Sequence, residues 1–139
     1  MKNEIISRCG FRCDLCPAYK LNIKNAEDQK KVSDSWHKYY GFRINPKRII
    51  CDGCMTDNSE NPSLISKNCA VRKCVQKMQI DNCAYCEKYS CKKVEKLMVD
   101  FNEIERKYGK KIPESDYSSY IMPYESRQRL DSIRDNLIS

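Results

Sequence analysis

Residues 9–17 read CGFRCDLCP and hold three cysteines, Cys9, Cys13 and Cys16, within one short segment. The two residues between Cys13 and Cys16 let a tight turn aim both sulfurs at one ion about 2.3 Å away. Pro17 follows directly and suits the first position of a helix, where its missing N–H is no loss. The segment is therefore predicted to be a metal-binding knuckle that leads into a short helix.

The same spacing returns twice along the chain, and the other cysteines lie close to these repeats. The further cysteines are the pairs Cys51/Cys54 and Cys83/Cys86, the wider pair Cys69/Cys74, and Cys91, which completes the set of ten. Gly53 favours the turn in the second pair, because this position is expected to need a positive φ. An isolated cysteine is often a small buried hydrophobe, but three close pairs together indicate metal ligands. All ten cysteines are therefore candidate ligands.

A structural zinc site needs four ligands, so the simplest partition of the cysteines gives two closed sites. One site would use Cys13, Cys16, Cys51 and Cys54, and the other Cys69, Cys74, Cys83 and Cys86. This partition leaves out Cys9 and Cys91. Other partitions, which include Cys9 or Cys91 and combine the pairs differently, also give each zinc ion four ligands. Two zinc ions are the expected cofactors, and the grouping of their ligands stays open.

The N-terminal segment and the absence of long apolar runs bear on the compartment. Residues 1–8 contain no apolar signal core and no small-residue cleavage site, and no stretch reaches the length of an apolar membrane span. We therefore expect a cytoplasmic protein with no membrane contact. In a reducing compartment, spaced cysteines serve as metal ligands or redox centres before they form disulfides.

The net charge gives only weak support to a nucleic-acid partner. The formal value is +7 when every cysteine is counted as neutral. Zinc binds thiolates, so each four-cysteine site carries −4 + 2 = −2, and two such sites lower the net charge to 7 − 4 = +3. No recognised nucleic-acid motif accompanies this charge. A protein partner, which the sequence does not identify, is favoured over nucleic acid.

Helical patterns dominate the chain outside the cysteine motifs. Asn25 is a predicted N-cap and Gly41 a predicted left-handed stop, which together delimit one helix. Apolar residues at helical spacing predict one long helix from Cys91 to Tyr108. A last helix is predicted after Pro123.

These patterns predict a small metal-stabilised, mainly α fold with irregular zinc-knuckle loops and at most a short β-hairpin. Residues 43–50 give the only strand signal, and the polar residues 55–67 predict an exposed loop. The length favours a single cysteine-rich metal-binding domain over residues 1–139, with residues 91–139 as its mainly helical C-terminal part.

Iron is the competing metal, because sets of four cysteines also ligate iron–sulfur clusters. Residues 9–16 have the spacing of the cluster motif in radical SAM enzymes, which place it on a large α/β barrel. A chain of 139 residues without alternating strands and helices does not form such a barrel. His37 is the only histidine, so no histidine pair supports a His-based centre, and a surface or packing role is expected for it.

The ordered cysteine motifs resemble a cysteine-rich prokaryotic family known as domain of unknown function 3795. The matching stretches are CGxxCxxCPAY at residues 9–19, YGF at 40–42, CDGC at 51–54, VRKC at 71–74, and NCAYC at 82–86 followed by Cys91. The resemblance extends to the last helix and implies a presumed zinc-binding protein in which all ten cysteines occupy family positions. It implies no activity, substrate or partner.

These observations favour a zinc-binding structural or adaptor module, since closed four-cysteine sites leave no coordination position for chemistry. The alternatives are an iron–sulfur cluster or thiol redox protein, and a zinc-organised nucleic-acid-binding module. No catalytic set accompanies the cysteines, so an enzyme is the less favoured interpretation. Cys9 and Cys91 are the candidate reactive thiols if they are not ligands.

Overall fold

The computed structural model describes residues 4–65 and 69–138, in which short helices are joined by irregular loops. The α-helices are α1 Ala26–Tyr40, α2 Ala70–Met78, α3 Lys92–Glu95, α4 Phe101–Tyr108, α5 Glu114–Asp116 and α6 Ser126–Ile138. Short 3₁₀ turns cover Pro46–Arg48, Asn58–Glu60, Cys83–Tyr85 and Met122–Tyr124, and a π-helical turn covers Tyr117–Ile121. The described residues contain no extended strand, only isolated bridges between Ile6 and Arg12 and between Tyr19 and Cys51. The predicted mainly α class is confirmed, and none of the described helices is long and apolar enough to cross a membrane.

Helix α1 begins and ends where its capping residues predict. The Asn25 side chain accepts a hydrogen bond from the Asp28 backbone N–H at 2.9 Å, which satisfies a donor of the first turn. Gly41 ends the helix in the left-handed conformation at φ 84°, and its N–H donates to the His37 carbonyl at 3.0 Å. The buried face of α1 consists of Val32, Ser33, Trp36 and Tyr39.

The single helix predicted from Cys91 to Tyr108 is wrong, because the chain breaks into α3 and α4. Asp100 is extended, at φ −113° and ψ 119°, and its side chain accepts a hydrogen bond from the Asn102 backbone N–H. The Val99 N–H donates to the Tyr124 carbonyl at 3.3 Å, outside any helical ladder. A capping aspartate and this long-range bond therefore start a new helix inside the apolar run.

The break divides the apolar residues between two cores. The first core contains Val32, Trp36, Tyr39, Ile49, Tyr120, Ile121 and Tyr124, with Phe101, Ile104 and Tyr108 of α4 packed against it. The second core contains Val71, Val75, Cys83, Ala84, Val94 and Leu130, from α2, α3, α6 and the turn between α2 and α3. Helix α4 thus packs against the first core, whereas α3 contributes Val94 to the second.

The strand signal at residues 43–50 is also wrong. The Asn45 side chain accepts a hydrogen bond from the Lys47 N–H at 3.0 Å and caps a 3₁₀ turn that begins at Pro46. Proline has no N–H for a strand ladder, whereas it suits the start of such a turn. The predicted loop at residues 55–67 is largely exposed as far as it is described, and its residues 66–67 lie outside the described residues.

The N-terminal knuckle lies directly against α6. Gly10 has φ 92°, and a Cβ at this position would lie 2.7 Å from Cγ of Leu130. The Arg129 side chain donates to the Gly10 carbonyl at 3.0 Å. The segment that carries Cys9 and Cys13 is therefore fixed by a close backbone approach that only glycine permits.

Candidate functional site

The fold sorts the ten cysteines into two groups that line separate cavities. The six-cysteine group consists of Cys9, Cys13, Cys16, Cys51, Cys54 and Cys69, which line a cavity of about 290 Å³. The four-cysteine group consists of Cys74, Cys83, Cys86 and Cys91, which line a gap of about 20 Å³. All ten side chains are free thiols. The grouping differs from the simplest partition, because Cys69 joins the N-terminal pairs and Cys91 joins the C-terminal pair.

Three consecutive elements build the four-cysteine group. Cys74 lies in α2, and Cys91 is the residue that precedes α3. Cys83 begins a 3₁₀ turn and Cys86 follows it. The Asn82 side chain accepts a hydrogen bond from a backbone N–H of this turn at 2.9 Å and fixes its conformation. The four cysteines therefore converge from one continuous part of the chain.

The gap that these four side chains line, together with apolar neighbours such as Val71, Val75 and Val94, is small. Its volume of about 20 Å³ is close to the roughly 10–15 Å³ that a single water occupies on the same kind of measure. Burial, and to a smaller extent the neighbouring Cys91 and Cys86, raise the pKa of Cys83 to about 12. The Cys83 thiol therefore keeps its proton at neutral pH unless a cation compensates the thiolate charge.

Helix α6 clamps the turn that carries Cys83 and Cys86. One Nη of Arg134 donates to the Ala84 carbonyl at 3.0 Å and to the Cys86 carbonyl at 2.8 Å. The Tyr89 hydroxyl donates to the Asp131 carboxylate on the same helix. The position of the turn is thus coupled to the C-terminal helix, which adds no cysteine of its own.

Distant segments build the six-cysteine group. Tyr19 and Cys51 form a parallel bridge, in which the Lys20 N–H donates to the Cys51 carbonyl at 2.8 Å. This bridge places the second Cys-x-x-Cys loop beside the first. Cys69 is the N-cap residue of α2 and makes no side-chain capping bond. Helix α2 therefore carries a member of each group, with Cys69 at its start and Cys74 within it.

The walls of the larger cavity are mostly aromatic and aliphatic. They include Phe11, Trp36, Tyr40, Phe42, Leu64, Ile65, Leu97, Val99 and Tyr124. Burial among such side chains disfavours thiolates, so it raises the pKa of Cys9 to about 12 and that of Cys16 to about 11. The cavity combines clustered soft donors with a low-polarity surrounding.

Hydrogen bonds reach most of the sulfurs in this cavity. The contacts are Arg8 N–H to Cys54 Sγ at 3.2 Å, Gly53 N–H to Cys51 Sγ at 3.4 Å, the Tyr124 hydroxyl to Cys16 Sγ at 3.0 Å and the Ser7 hydroxyl to Cys9 Sγ at 3.3 Å. Donors of this kind orient and stabilise sulfurs that act as metal ligands.

Cys13 and Cys54 form a pair within the six-cysteine group. The interaction between the two side chains is the main cause that lowers the pKa of Cys54 to about 6 and raises the pKa of Cys13. Part of the lowering at Cys54 comes from the backbone N–H and the positive charge of Arg8. Cys54 therefore ionises more readily than its partner Cys13.

Within the described part of the chain, two buried N–H groups on the walls of the cavity have no acceptor. They are the indole N–H of Trp36, whose side chain is 5% exposed, and Nε of Arg8. The indole N–H approaches the Tyr124 hydroxyl without completing a hydrogen bond. One Nη of Arg8 donates to the carbonyls of Ile80 and Asp81 at 3.0 and 2.9 Å, and these bonds fix the position of the side chain. An occupant that accepts hydrogen bonds would suit these donors.

Neither group is a closed coordination shell. Within residues 4–65 and 69–138, no three His, Cys, Asp or Glu side chains are arranged so that they could hold a metal ion. The metal stabilisation expected from the sequence therefore stays a prediction. The donor chemistry fits a metal, since clustered thiols select zinc, copper(I) or iron–sulfur clusters.

Several residues that contact the cysteines or their turn are not predicted by any pattern in the sequence. Tyr124 contacts Cys16 across 108 residues, and no local pattern signals such a contact. Arg134 is one of several charged residues of α6, so the sequence does not predict its hydrogen bonds to the cysteine turn. His37 is exposed at the end of α1 and lines neither cavity, which confirms its surface role.

The comparison with known families covers both cysteine groups. The family described as Protein of unknown function (DUF3795) matches residues 5–96, a range that contains all ten cysteines. No curated protein and no solved structure matches the chain. Because the match spans more than half of the 139 residues, the chain belongs to the DUF3795 family.

Proposed function

We propose that this protein is a zinc-binding structural module in which Cys74, Cys83, Cys86 and Cys91 hold one zinc ion. The observation that carries the proposal is that four cysteines, the number that a structural zinc site uses, line one gap of about 20 Å³. Four thiolates leave no open position on zinc, so such a site holds structure and performs no reaction.

The zinc ion would join elements that share only a small core. Val71 and Val75 of α2, Val94 of α3 and Leu130 of α6 are the buried aliphatic residues around this group. A structural zinc site contributes an apparent binding free energy of about 10–16 kcal/mol at neutral pH, and this energy is available for folding. The ion would therefore fix α2, the cysteine turn and α3 relative to one another, and through Arg134 also α6.

An adaptor role for the module is supported by apolar side chains at the same place. Tyr85, in the cysteine turn, is 41% exposed, and Met78, whose sulfur lies 3.8 Å from Cys86 Sγ, is 46% exposed. Exposed aromatic and methionine side chains are enriched where proteins bind other proteins. A protein partner is therefore favoured over nucleic acid for this surface.

Metal analysis of the purified full-length chain tests the zinc site. Cys86→Ser is expected to lose one zinc ion per chain and to lower the melting temperature, because it removes one of four ligands. His37→Ala is the matched control, since it removes the only imidazole and is expected to keep the wild-type zinc content. A Cys86→Ser protein with unchanged zinc content would contradict the proposal.

A further inference from the structure

The cavity lined by the six-cysteine group is large for a space inside a small protein. Its volume of about 290 Å³ is roughly twice the 150 Å³ of an apolar protein cavity that binds benzene. Well-packed interiors contain few spaces larger than one water molecule. An occupant that fills this cavity as benzene fills the smaller one has about 12 non-hydrogen atoms. The cavity therefore has the size of a small organic molecule.

Part of the cavity wall consists of aromatic rings that pack edge to face. The ring centroid of Tyr124 lies 5.0 Å from that of Phe11 and 6.3 Å from that of Trp36, at interplanar angles of 69° and 67°. Tyr40 adds a further ring, 6.2 Å from Tyr124 and inclined by 77°. Such rings offer edges and faces to another ring, and sulfur atoms also pack favourably against ring edges. The walls therefore favour an aromatic occupant over an aliphatic one.

Two guanidinium groups give the lining of the cavity a positive charge. Arg8 and Arg72 both belong to the lining, and Arg72 is only 7% exposed. Among the described residues, the lining includes no Asp or Glu, and none of the ion pairs involves either arginine. An ionised Cys54 would offset one of the two charges and leave the other without an anion. Because buried charges in folded proteins are normally paired, an anionic occupant is favoured.

Two buried donors of the lining residues match such an anion. Within residues 4–65 and 69–138, the indole N–H of Trp36 and the Nε–H of Arg8 have no acceptor. Trp36 is 5% exposed, so bulk solvent does not supply the acceptor that its indole lacks. A carboxylate has about four lone-pair positions, which is enough for both donors.

We propose that this cavity binds a small aromatic carboxylate of about 12 non-hydrogen atoms. Its ring packs among the aromatic side chains and the sulfurs of the wall. Its carboxylate accepts hydrogen bonds from Trp36 and Arg8 and offsets the positive charge of the lining. The binding is non-covalent, so the cysteines serve here as part of a low-polarity wall.

The cavity is accessible from the surface and separate from the four-cysteine group. Phe42 belongs to its lining and is 47% exposed, and the Phe42 ring centroid lies 5.9 Å from that of Trp36. The cavity therefore reaches the surface beside Phe42. The two cavities share no lining residue. Ligand binding thus goes beyond the proposed zinc module and does not depend on zinc in the four-cysteine group.

Tryptophan fluorescence of the full chain tests the proposal, because Trp36 is the only tryptophan. The probe is hydrocinnamate, an aromatic carboxylate of the proposed size that does not absorb where tryptophan is selectively excited. Hydrocinnamate is expected to change the Trp36 emission saturably, with a Kd below about 2 mM, the value that an ordinary ligand efficiency gives for this size.

Two matched compounds separate the contribution of the charge from that of the ring. Hydrocinnamamide keeps the ring and a carbonyl but has no charge, so it is expected to bind at least about 5-fold more weakly. Cyclohexanepropanoate keeps the carboxylate but has no aromatic ring, so it is expected to bind about 2- to 10-fold more weakly. These comparisons need only the wild type, so they decide the question even if a variant does not fold.

Variants examined by titration calorimetry locate the binding site. Arg8→Gln removes a charge and an unpaired N–H, so the affinity for hydrocinnamate is expected to fall about 10- to 100-fold. Trp36→Phe keeps an aromatic ring without the indole N–H, and a loss of about 2- to 10-fold is expected. Arg127→Gln is the matched control, because Arg127 pairs with Glu95 on the surface and does not line the cavity. It is expected to keep the wild-type Kd.

Several results would overturn the proposal. A fluorescence signal that does not respond to hydrocinnamate at ten times the expected Kd would exclude the site. Equal affinities for the carboxylate and its amide, or for the aromatic and the cyclohexane compound, would exclude the proposed ligand class. Equal affinities in Arg8→Gln, Trp36→Phe and Arg127→Gln would place the ligand elsewhere. A Cys51→Ser protein that loses a zinc ion would show that metal occupies the cavity instead.

Discussion

Replacing Gly10 with alanine tests how the N-terminal knuckle is held against α6. Gly10 has φ 92°, a conformation that residues with a Cβ rarely adopt. The added Cβ would lie 2.7 Å from Cγ of Leu130 and 2.9 Å from Cβ of Ser126, well inside normal van der Waals contact. Leu130 and Ser126 are both fully buried, so neither side chain moves away without disturbing the second core.

Two costs add in the Gly10→Ala protein. The left-handed conformation costs about 1–2 kcal/mol for a residue with a Cβ. Overpacking of a filled interior costs about 1–3 kcal/mol more. The free energy of unfolding is therefore expected to fall by about 2–5 kcal/mol. Gly41→Ala is the matched control, because Gly41 has φ 84° but no atom within 4 Å of the added Cβ, so only the cost of about 1–2 kcal/mol applies.

Urea unfolding at saturating zinc, followed by circular dichroism, measures both variants under one condition. Gly10→Ala is expected to unfold at a clearly lower urea concentration than Gly41→Ala, with a similar dependence on urea. Equal losses of stability in the two proteins would refute the close approach of the knuckle to α6.

Three further predictions concern side chains around the cysteines. Tyr124→Phe removes the hydroxyl 3.0 Å from Cys16 Sγ, and urea unfolding is expected to show a loss of about 0.5–1.5 kcal/mol for the lost hydrogen bond. Arg134→Ala leaves two carbonyls of the cysteine turn without their charged donor, and urea unfolding is expected to show a loss of about 1.5–3 kcal/mol. Asp14→Asn removes a buried carboxylate whose pKa is lowered by its hydrogen bond to Arg12, and the melting temperature is expected to fall at pH 7. Because a lowered pKa contributes stability that is fully present above the ordinary value near 3.9 and is lost as the pH falls through the lower folded-state pKa, this difference is expected to shrink progressively as the pH drops below about 4.

Each of these predictions has a control or a contrary result. Arg106→Ala breaks an exposed ion pair with Glu103 at 3.7 Å and is expected to cost less than about 1 kcal/mol, so an equal effect of Arg134→Ala would count against the clamp. Unchanged urea unfolding of Tyr124→Phe would show that the hydroxyl does not stabilise the Cys16 side chain. A difference between Asp14→Asn and wild type that does not shrink at all as the pH falls below about 4 would exclude the carboxylate charge as its cause.

Local signals were sufficient wherever the deciding interactions lie within a few residues. Asn25 and Gly41 delimit α1 because capping bonds join atoms three to four residues apart. Each Cys-x-x-Cys pair falls within one cysteine group for the same reason, since two intervening residues keep the sulfurs close. The mainly α class and the membership of the family also follow from such local patterns.

Other features depend on contacts between distant parts of the chain. Cys69 and Cys74 are close in sequence but belong to different groups, because α2 begins between them and turns their side chains toward different neighbours. The apolar run from Cys91 to Tyr108 is broken because Val99 bonds to Tyr124 and the two halves pack in separate cores. Hydrophobic periodicity predicts which side chains of a segment are buried. It does not predict against which distant segment each of them packs, because that depends on the tertiary contacts. For the cysteines, the motifs therefore predicted soft metal ligands, and the packing of α2 and the N-terminal knuckle separated them into groups of four and six.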